Sequence, residues 1–231
     1  MEWRERVSQN LSRVLERVER ACARAGRDPR SVEVMAVTKG FPPEAVLGAF
    51  EAGLRLFGEN RVQEAQRKFD SLPREVRSQI SLHMIGHLQS NKVKRALEVF
   101  DLIQTIDRTS LVEELCRRIP EGVSFPAMVE VKTSPEPTKG GVAPEHLLEL
   151  VEKVISCGKL RLVGLMTVAP LAGEAEARRS FSGLRAMAEE LRREFGLSLE
   201  LSMGMSDDLE IAVEEGSTLL RLGRALFGPR P

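Results

Sequence analysis

From residue 32 to the C-terminus the chain repeats one unit, a short β-branched apolar run bounded by turn residues and then an amphipathic stretch. The apolar runs fall at 32–38, 55–57, 81–85, 102–105, 127–131, 162–166, 199–202 and 219–222 and read as strands. Between them, apolar residues three and four apart predict helices at 43–52, 58–69, 90–99, 110–118, 144–156, 174–195 and 207–215, with a short terminal turn. Strict alternation implies parallel strands, because a helical crossover returns the chain to the same end of the sheet. Eight such units favour an α/β fold closed into a single (β/α)8 barrel of the TIM type. An open doubly wound sheet is the alternative, since periodicity does not report closure. One more amphipathic helix precedes the repeats, with Val7, Leu11, Val14, Leu15, Val18, Ala21 and Cys22 on one face and Gly26 at its end. Within it, Glu16 and Arg20 stand at i,i+4 and predict a self-paired polar face. No Pro/Ser linker divides residues 1–231, and 135–141 reads as a loop after the fifth strand, so one domain is expected.

Charge and cysteine usage narrow the function. The 34 Lys+Arg are offset by 34 Asp+Glu. That balance removes the cation surplus that would hold a nucleic-acid backbone or an anionic membrane. The N-terminus, Met1-Glu2-Trp3-Arg4-Glu5-Arg6, is charged where a signal peptide is apolar, and no run approaches the length of a membrane span, so a cytoplasmic protein is expected. Cys22, Cys116 and Cys157 are odd in number, far apart and without C-x-x-C spacing, which predicts neither a disulfide framework nor a zinc site.

In a barrel the working face is the C-terminal end of the strands, and these ends are polar here. Lys39 directly follows Val34-Met35-Ala36-Val37, so its amine should enter a desolvated pocket that disfavours its charge, as a Schiff-base nucleophile requires. The alternative is a lysine that reaches solvent or pairs with a carboxylate. At the seventh strand end, Ser202-Met203-Gly204-Met205-Ser206-Asp207-Asp208 combines a close-approach glycine with a serine before a helix start, and Gly223 closes the eighth strand. Loops after the last two strands are a frequent phosphate site in such barrels; Ser206 as a plain helix cap is the competing account. Arg221 lies among Leu219, Leu220 and Leu222 and needs an acceptor, either a carboxylate such as Glu200, a structural carbonyl, or a ligand. His87 beside the third strand end reads as a hydrogen-bonded structural residue or a spare base.

An amine, phosphate donors and a partner for a ring nitrogen are what pyridoxal 5′-phosphate (PLP) needs. The stretches Ala36-Val37-Thr38-Lys39, Phe57-Gly58-Glu59-Asn60-Arg61-Val62-Gln63-Glu64, His83-Met84-Ile85-Gly86-His87-Leu88-Gln89-Ser90-Asn91-Lys92, Gly164-Leu165-Met166-Thr167 and Leu201 to Asp208, with Gly216 to Gly223, closely resemble the PLP homeostasis protein family. The resemblance implies a PLP-binding barrel like the N-terminal domain of alanine racemase, with Lys39 carrying the cofactor as an internal aldimine. It further implies that Ser202, Gly204, Ser206 and Gly223 hold the phosphate, that Arg221 faces the pyridine nitrogen and that Asn60 lies beside the ring. The family regulates or carries the intracellular vitamin B6 pool, so the implied partners are PLP and PLP-dependent apoenzymes, and no catalytic reaction is implied.

Residue chemistry points the same way. An arginine against the pyridine nitrogen opposes its protonation and leaves a weaker electron sink. A racemase of the alanine type also needs a second base, usually a Tyr from an added domain, and this chain has no Tyr. A non-catalytic holder of PLP, acting as a monomer or weak homodimer, is the leading expectation. A weak amino-acid racemase or lyase using the same Lys39, and a sugar-phosphate aldolase or isomerase, are the alternatives.

Overall fold

The computed structural model of the chain describes residues 2–134, 136, 140–170 and 172–230. Eight parallel strands close on themselves in sequence order: β1 (Glu33–Val37), β2 (Leu56–Glu59), β3 (Ser81–Met84), β4 (Leu102–Ile106), β5 (Phe125–Glu130), β6 (Leu160–Met166), β7 (Glu200–Ser202) and β8 (Leu219–Leu222). The register Glu33↔Leu219 to Ala36↔Leu222 joins the last strand to the first. The expected barrel is therefore present and the open sheet is not. Around it lie α1 (Glu2–Ala25), α2 (Pro43–Glu51), α3 (Val62–Asp70), α4 (Arg74–Arg77), α5 (Val93–Val99), α6 (Thr109–Arg118), α7 (Leu147–Ser156), α8 (Glu174–Phe195), α9 (Leu209–Glu214) and α10 (Arg224–Phe227).

Two elements differ from the sequence pattern for local reasons. The second strand continues through Gly58 and Glu59, where the pattern places a helix start. Gly58 faces the barrel interior, and a Cβ there would lie 2.6 Å from Met35 Sδ and 2.9 Å from Ile85 Cδ1, so the glycine makes room for its neighbours instead of ending the strand. The single turn α4 follows Pro73, whose ring fixes φ and leaves no N–H to satisfy, and it is too short to show a period. Part of the expected loop at 135–141, with Lys139, lies outside the described residues.

Two apolar layers form. The larger fills the space between strands and helices, with Phe57, Phe69, Phe181 and Phe227 fully buried. A smaller cluster of Met35, Leu102, Met128 and Leu219 lies inside the cylinder. Strand side chains alternate, so the residue two positions on from an inward one also faces inward. Two positions beyond Leu102 and Leu219 come Gln104 and Arg221, and both are buried. The barrel interior therefore changes from apolar to polar toward the C-terminal ends of the strands.

Helix α1 lies across α2, α9 and α10, where Trp3 meets the rings of Phe41 and Phe227 at centroid distances of 5.9 and 6.3 Å. Besides one i,i+4 pair along the helix, Arg6 with Glu2, its charges pair with a neighbouring helix. Arg17 makes two hydrogen bonds to Glu210 of α9, at 2.6 and 2.8 Å, and Arg24 reaches Glu214 at 2.7 Å. The expected Glu16–Arg20 pair is not formed: both side chains are exposed, where an i,i+4 pair is worth only a few tenths of a kcal/mol. The cysteine reading also needs correction. Cys116 and Cys157 form a disulfide with Cα atoms 6.1 Å apart. Helices α6 and α7 are consecutive and lie side by side, so 41 residues of separation bring their C-terminal ends together. Cys22 is free and buried in the core, as expected of a small apolar side chain. Among the described residues no helix is long and apolar enough to cross a membrane.

Candidate functional site

Lys39 leaves the end of β1 in a segment held on both sides. The Thr38 hydroxyl donates to Glu59 Oε1 at 2.7 Å, the Thr38 carbonyl accepts from Lys68 Nζ at 2.6 Å, and the Gly40 N–H donates to Glu64 Oε1 at 2.7 Å. Lys68 also bonds Glu59 at 2.6 Å and Glu64 at 3.2 Å. The peptides flanking Lys39 are thus fixed by a buried ionic cluster, while its side chain extends into a cavity. Burial, then the neighbouring cations Arg230 and Arg221, depress the Lys39 amine below the usual lysine range. The sequence anticipated the desolvation but not the contribution of Arg230.

Arg221 is buried, and its guanidinium donates to Ser202 Oγ at 2.8 Å and to the Thr167 carbonyl at 2.7 Å. Burial lowers its pKa to about 10, with Glu130 and Asp208 opposing. Glu200, the carboxylate considered as its partner, lies at the opposite end of the barrel beside Glu33, so a hydroxyl and a carbonyl take that role. A guanidinium carries five N–H donors. These two bonds leave three for the cavity that Arg221 also lines.

Asn60 follows β2 and is locked by close approach of the β3 end. A Cβ on Gly86 would lie 2.3 Å from the Asn60 carbonyl oxygen, so a larger residue there would push the loops apart. Asn60 Oδ1 is buried and has no hydrogen-bond partner. An amide oxygen left in that state costs free energy unless a ligand donor meets it.

The β7–α9 and β8–α10 loops complete the wall. Ser206 Oγ accepts from the Ala225 N–H at 3.0 Å and ties the two loops together. Ser206 is therefore not the cap of α9, which begins at Leu209. Among the described residues, the backbone N–H groups of Ser206, Asp207 and Gly223 meet no acceptor. Gly204 sits beneath this wall at φ +98°, with Ala212 Cβ 2.5 Å from where its own Cβ would be, so it sets the loop's path.

One cavity of about 520 Å³ collects Lys39, Asn60, Ser206, Arg221 and Gly223, together with Arg224, Arg230 and Asp207, which pairs with Arg224. Its volume suits a small organic ligand. Of the seven expected residues, five line it; Ser202 lies below Arg221 and Gly204 below the loop wall. His87 is exposed and 3.1 Å from Asp107, outside this cavity. A cavity of about 570 Å³ opens at the other end of the barrel, between Glu33, His83, Arg161 and Glu200. It lies at the strand N-termini, away from the loops that carry function in this architecture.

Sequence reasoning missed the Glu59–Lys68–Glu64 cluster and the cation Arg230. It also missed Gln104 and His83, which lie behind Arg221 in the interior. Two signals were present: polar residues inside short apolar strands, in Leu102-Ile103-Gln104-Thr105-Ile106 and Ser81-Leu82-His83-Met84.

The alanine racemase N-terminal domain family matches residues 9–231. A pyridoxal phosphate homeostasis protein of Aquifex aeolicus is 41% identical over 225 residues, covering 96% of this chain and 97% of that one. The structure of PipY from Synechococcus elongatus with PLP bound superimposes with a TM-score of 0.79 at 39% identity, covering 92% of this chain and all of that one. An alanine racemase from Bacillus anthracis shares the fold at 16% identity and a TM-score of 0.72; this chain covers 57% of it.

Proposed function

The chain belongs to the pyridoxal phosphate homeostasis protein family, and we propose that it binds PLP in the cavity above Arg221 and serves intracellular vitamin B6 balance without turning over a substrate. The observation that carries this reading is the complementarity of the cavity wall. A depressed lysine amine, an unpartnered buried amide oxygen, unspent guanidinium N–H groups and free backbone N–H groups converge on one space. PLP, when bound, supplies an aldehyde for the amine, a phosphate for the loop donors and a pyridine nitrogen for a guanidinium donor.

Each residue then has one task. Lys39 presents a half-buried amine whose lowered pKa increases its neutral, nucleophilic fraction near neutral pH. Ser206 and Gly223, with Asp207, offer N–H donors to an anion, and Arg224 and Arg230 add positive charge at the rim. Arg221 donates and does not protonate a ring nitrogen, which keeps the ring a poor acceptor of a carbanion pair. Ser202 acts in this proposal on the ring side, through the Arg221 guanidinium it holds, and Gly204 serves the phosphate through the loop geometry it permits.

The absence of turnover is supported by the character of the wall. Stereochemical inversion at carbon needs proton donors on both faces of a planar intermediate. Besides Lys39 and arginines, the described cavity wall holds one ionisable group, Asp207, already paired with Arg224. Our proposal takes residues 1–231 as one PLP-binding domain, a monomer or weak homodimer in the cytoplasm, delivering PLP to apoenzymes.

The test is visible absorbance of the purified protein with and without PLP, then borohydride reduction and peptide mapping. A yellow protein with the pyridoxyl group on Lys39, and no exchange of the amino-acid α-hydrogen for deuterium, is the expected result. Failure to take up PLP, or an adduct on another lysine, would overturn the assignment.

A further inference from the structure

Behind Arg221 a file of polar side chains crosses the barrel interior. Arg221 Nη1 donates to Ser202 Oγ at 2.8 Å, Ser202 Oγ donates to Gln104 Oε1 at 2.6 Å, and Gln104 Nε2 lies 3.0 Å from His83 Nδ1. His83 Nε2 is then 3.1 Å from the hydroxyl of Ser81, which lines the cavity at the opposite end. Ser202, Gln104, His83 and Arg221 are all buried.

The direction of every bond follows from the first. A guanidinium has no acceptor, so Ser202 accepts from it and sends its own proton to Gln104. The Gln104 amide then turns its oxygen to Ser202 and its NH2 to His83. Nδ1 must accept, and the ring proton resides on Nε2 and is donated to Ser81, whose hydroxyl faces the open basal cavity. A charged His83 would set an N–H against the Gln104 NH2; burial, which lowers this imidazole to about 4, acts in the same sense.

We propose that Gln104 and His83 are positioning residues for Arg221: a hydrogen-bond relay of one polarity, running from Arg221 through Ser202, Gln104 and His83 to Ser81, fixes how the guanidinium faces the cavity. Its consequence for the cofactor rests on the PLP reading above; the polarity itself does not.

Two measurements separate these parts. The first is ¹⁵N imidazole NMR of the full-length protein without PLP at pH 7, with the His83 signals assigned by their loss in His83→Gln. The relay requires His83 neutral with its proton on Nε2, and requires Gln104→Glu to move a proton to Nδ1, because a carboxylate there can only accept. A charged His83 or an Nδ1-protonated tautomer in the unaltered protein overturns the relay, whether or not PLP binds. The second is PLP titration of Gln104→Met, which is close in volume and breaks both bonds. Loss of one relayed bond should weaken PLP about 5- to 10-fold and shift the absorbance maximum of bound cofactor, with circular dichroism unchanged. Unchanged affinity and spectrum in a folded Gln104→Met overturn the positioning role. Failure of the unaltered protein to take up PLP overturns the cofactor reading and leaves the tautomer measured by NMR as the test of the relay.

Discussion

Removing the Lys68 amine should unfold the clamp around Lys39, with a pH signature that identifies the cause. Lys68 is 6% exposed and its partner Glu59 is fully buried. In Lys68→Met the methionine fills the aliphatic volume, but Glu59 keeps one hydrogen bond, from the Thr38 hydroxyl, and its Oε2 already has none. Breaking a buried pair from one side costs about 3–5 kcal/mol. For a chain of this size that lowers the melting temperature by roughly 10 °C. Burial already raises the Glu59 pKa in the folded protein, and Lys68 opposes the rise, so its removal raises that pKa further. A folded-state pKa above the unfolded value favours folding at low pH. The penalty relative to the unaltered protein should therefore be constant below the raised folded-state pKa that Glu59 already has, and grow by about 1.4 kcal/mol per pH unit between that pKa and the new, higher one. Urea denaturation at pH 5 and pH 8 measures this. Glu59→Gln combined with Lys68→Met should recover much of the loss, because no buried charge remains. A penalty under about 1 kcal/mol at pH 8, or one equal at both pH values, would refute the buried-pair argument.

Three further outcomes test the cavity wall. Arg230→Ala removes one of the cations that depress Lys39, so the pH profile of covalent PLP capture should move to more alkaline pH, as followed by absorbance; an unmoved or acid-shifted profile contradicts the electrostatic role. Asn60→Leu replaces a buried oxygen without a partner by an apolar group, so melting of the PLP-free protein should change by no more than about 1 kcal/mol while PLP affinity falls. Glu130 is raised to about 7, by burial and then by Asp107, against Arg221. Its contribution to stability is full below about pH 4.3 and is lost as pH rises through 7, so Glu130→Gln should flatten the fall in urea midpoint between pH 5 and 7.5, by about 1–3 kcal/mol; an unchanged slope would place the titrating group elsewhere.

The barrel was legible in the sequence because strand and helix periods differ and turn residues separate them, so eight alternations favoured a closed barrel, and the pairing of β8 with β1 decided it against an open sheet. The residues at strand ends were legible for a related reason: the architecture assigns function to one end of each strand, and Lys39, Asn60 and Gly223 stand there. What was hidden depends on which way a side chain faces. Ser202 at a strand end reads as a phosphate ligand, yet the period of two turns it inward under Arg221, where a hydroxyl joins a donor-only guanidinium to Gln104. Lys68 reads as one more helix charge, although the helix places it directly beneath the Thr38 carbonyl. Arg230, near the C-terminus, lies against Gly40 with its Cδ 3.2 Å from the position a Cβ would take, a closure that no local pattern encodes. Cys116 and Cys157 meet for the same geometric reason, since neighbours on the outside of a barrel are one whole unit apart in sequence. Local pattern therefore identified residues that line the cavity, and the closed sheet was needed to find those that hold them. A buried polar side chain inside an apolar strand is the trace such support leaves in a sequence, because its desolvation must be offset by a partner. By that rule Gln104 and His83, inconspicuous along the chain, mark the interior route by which Arg221 is held.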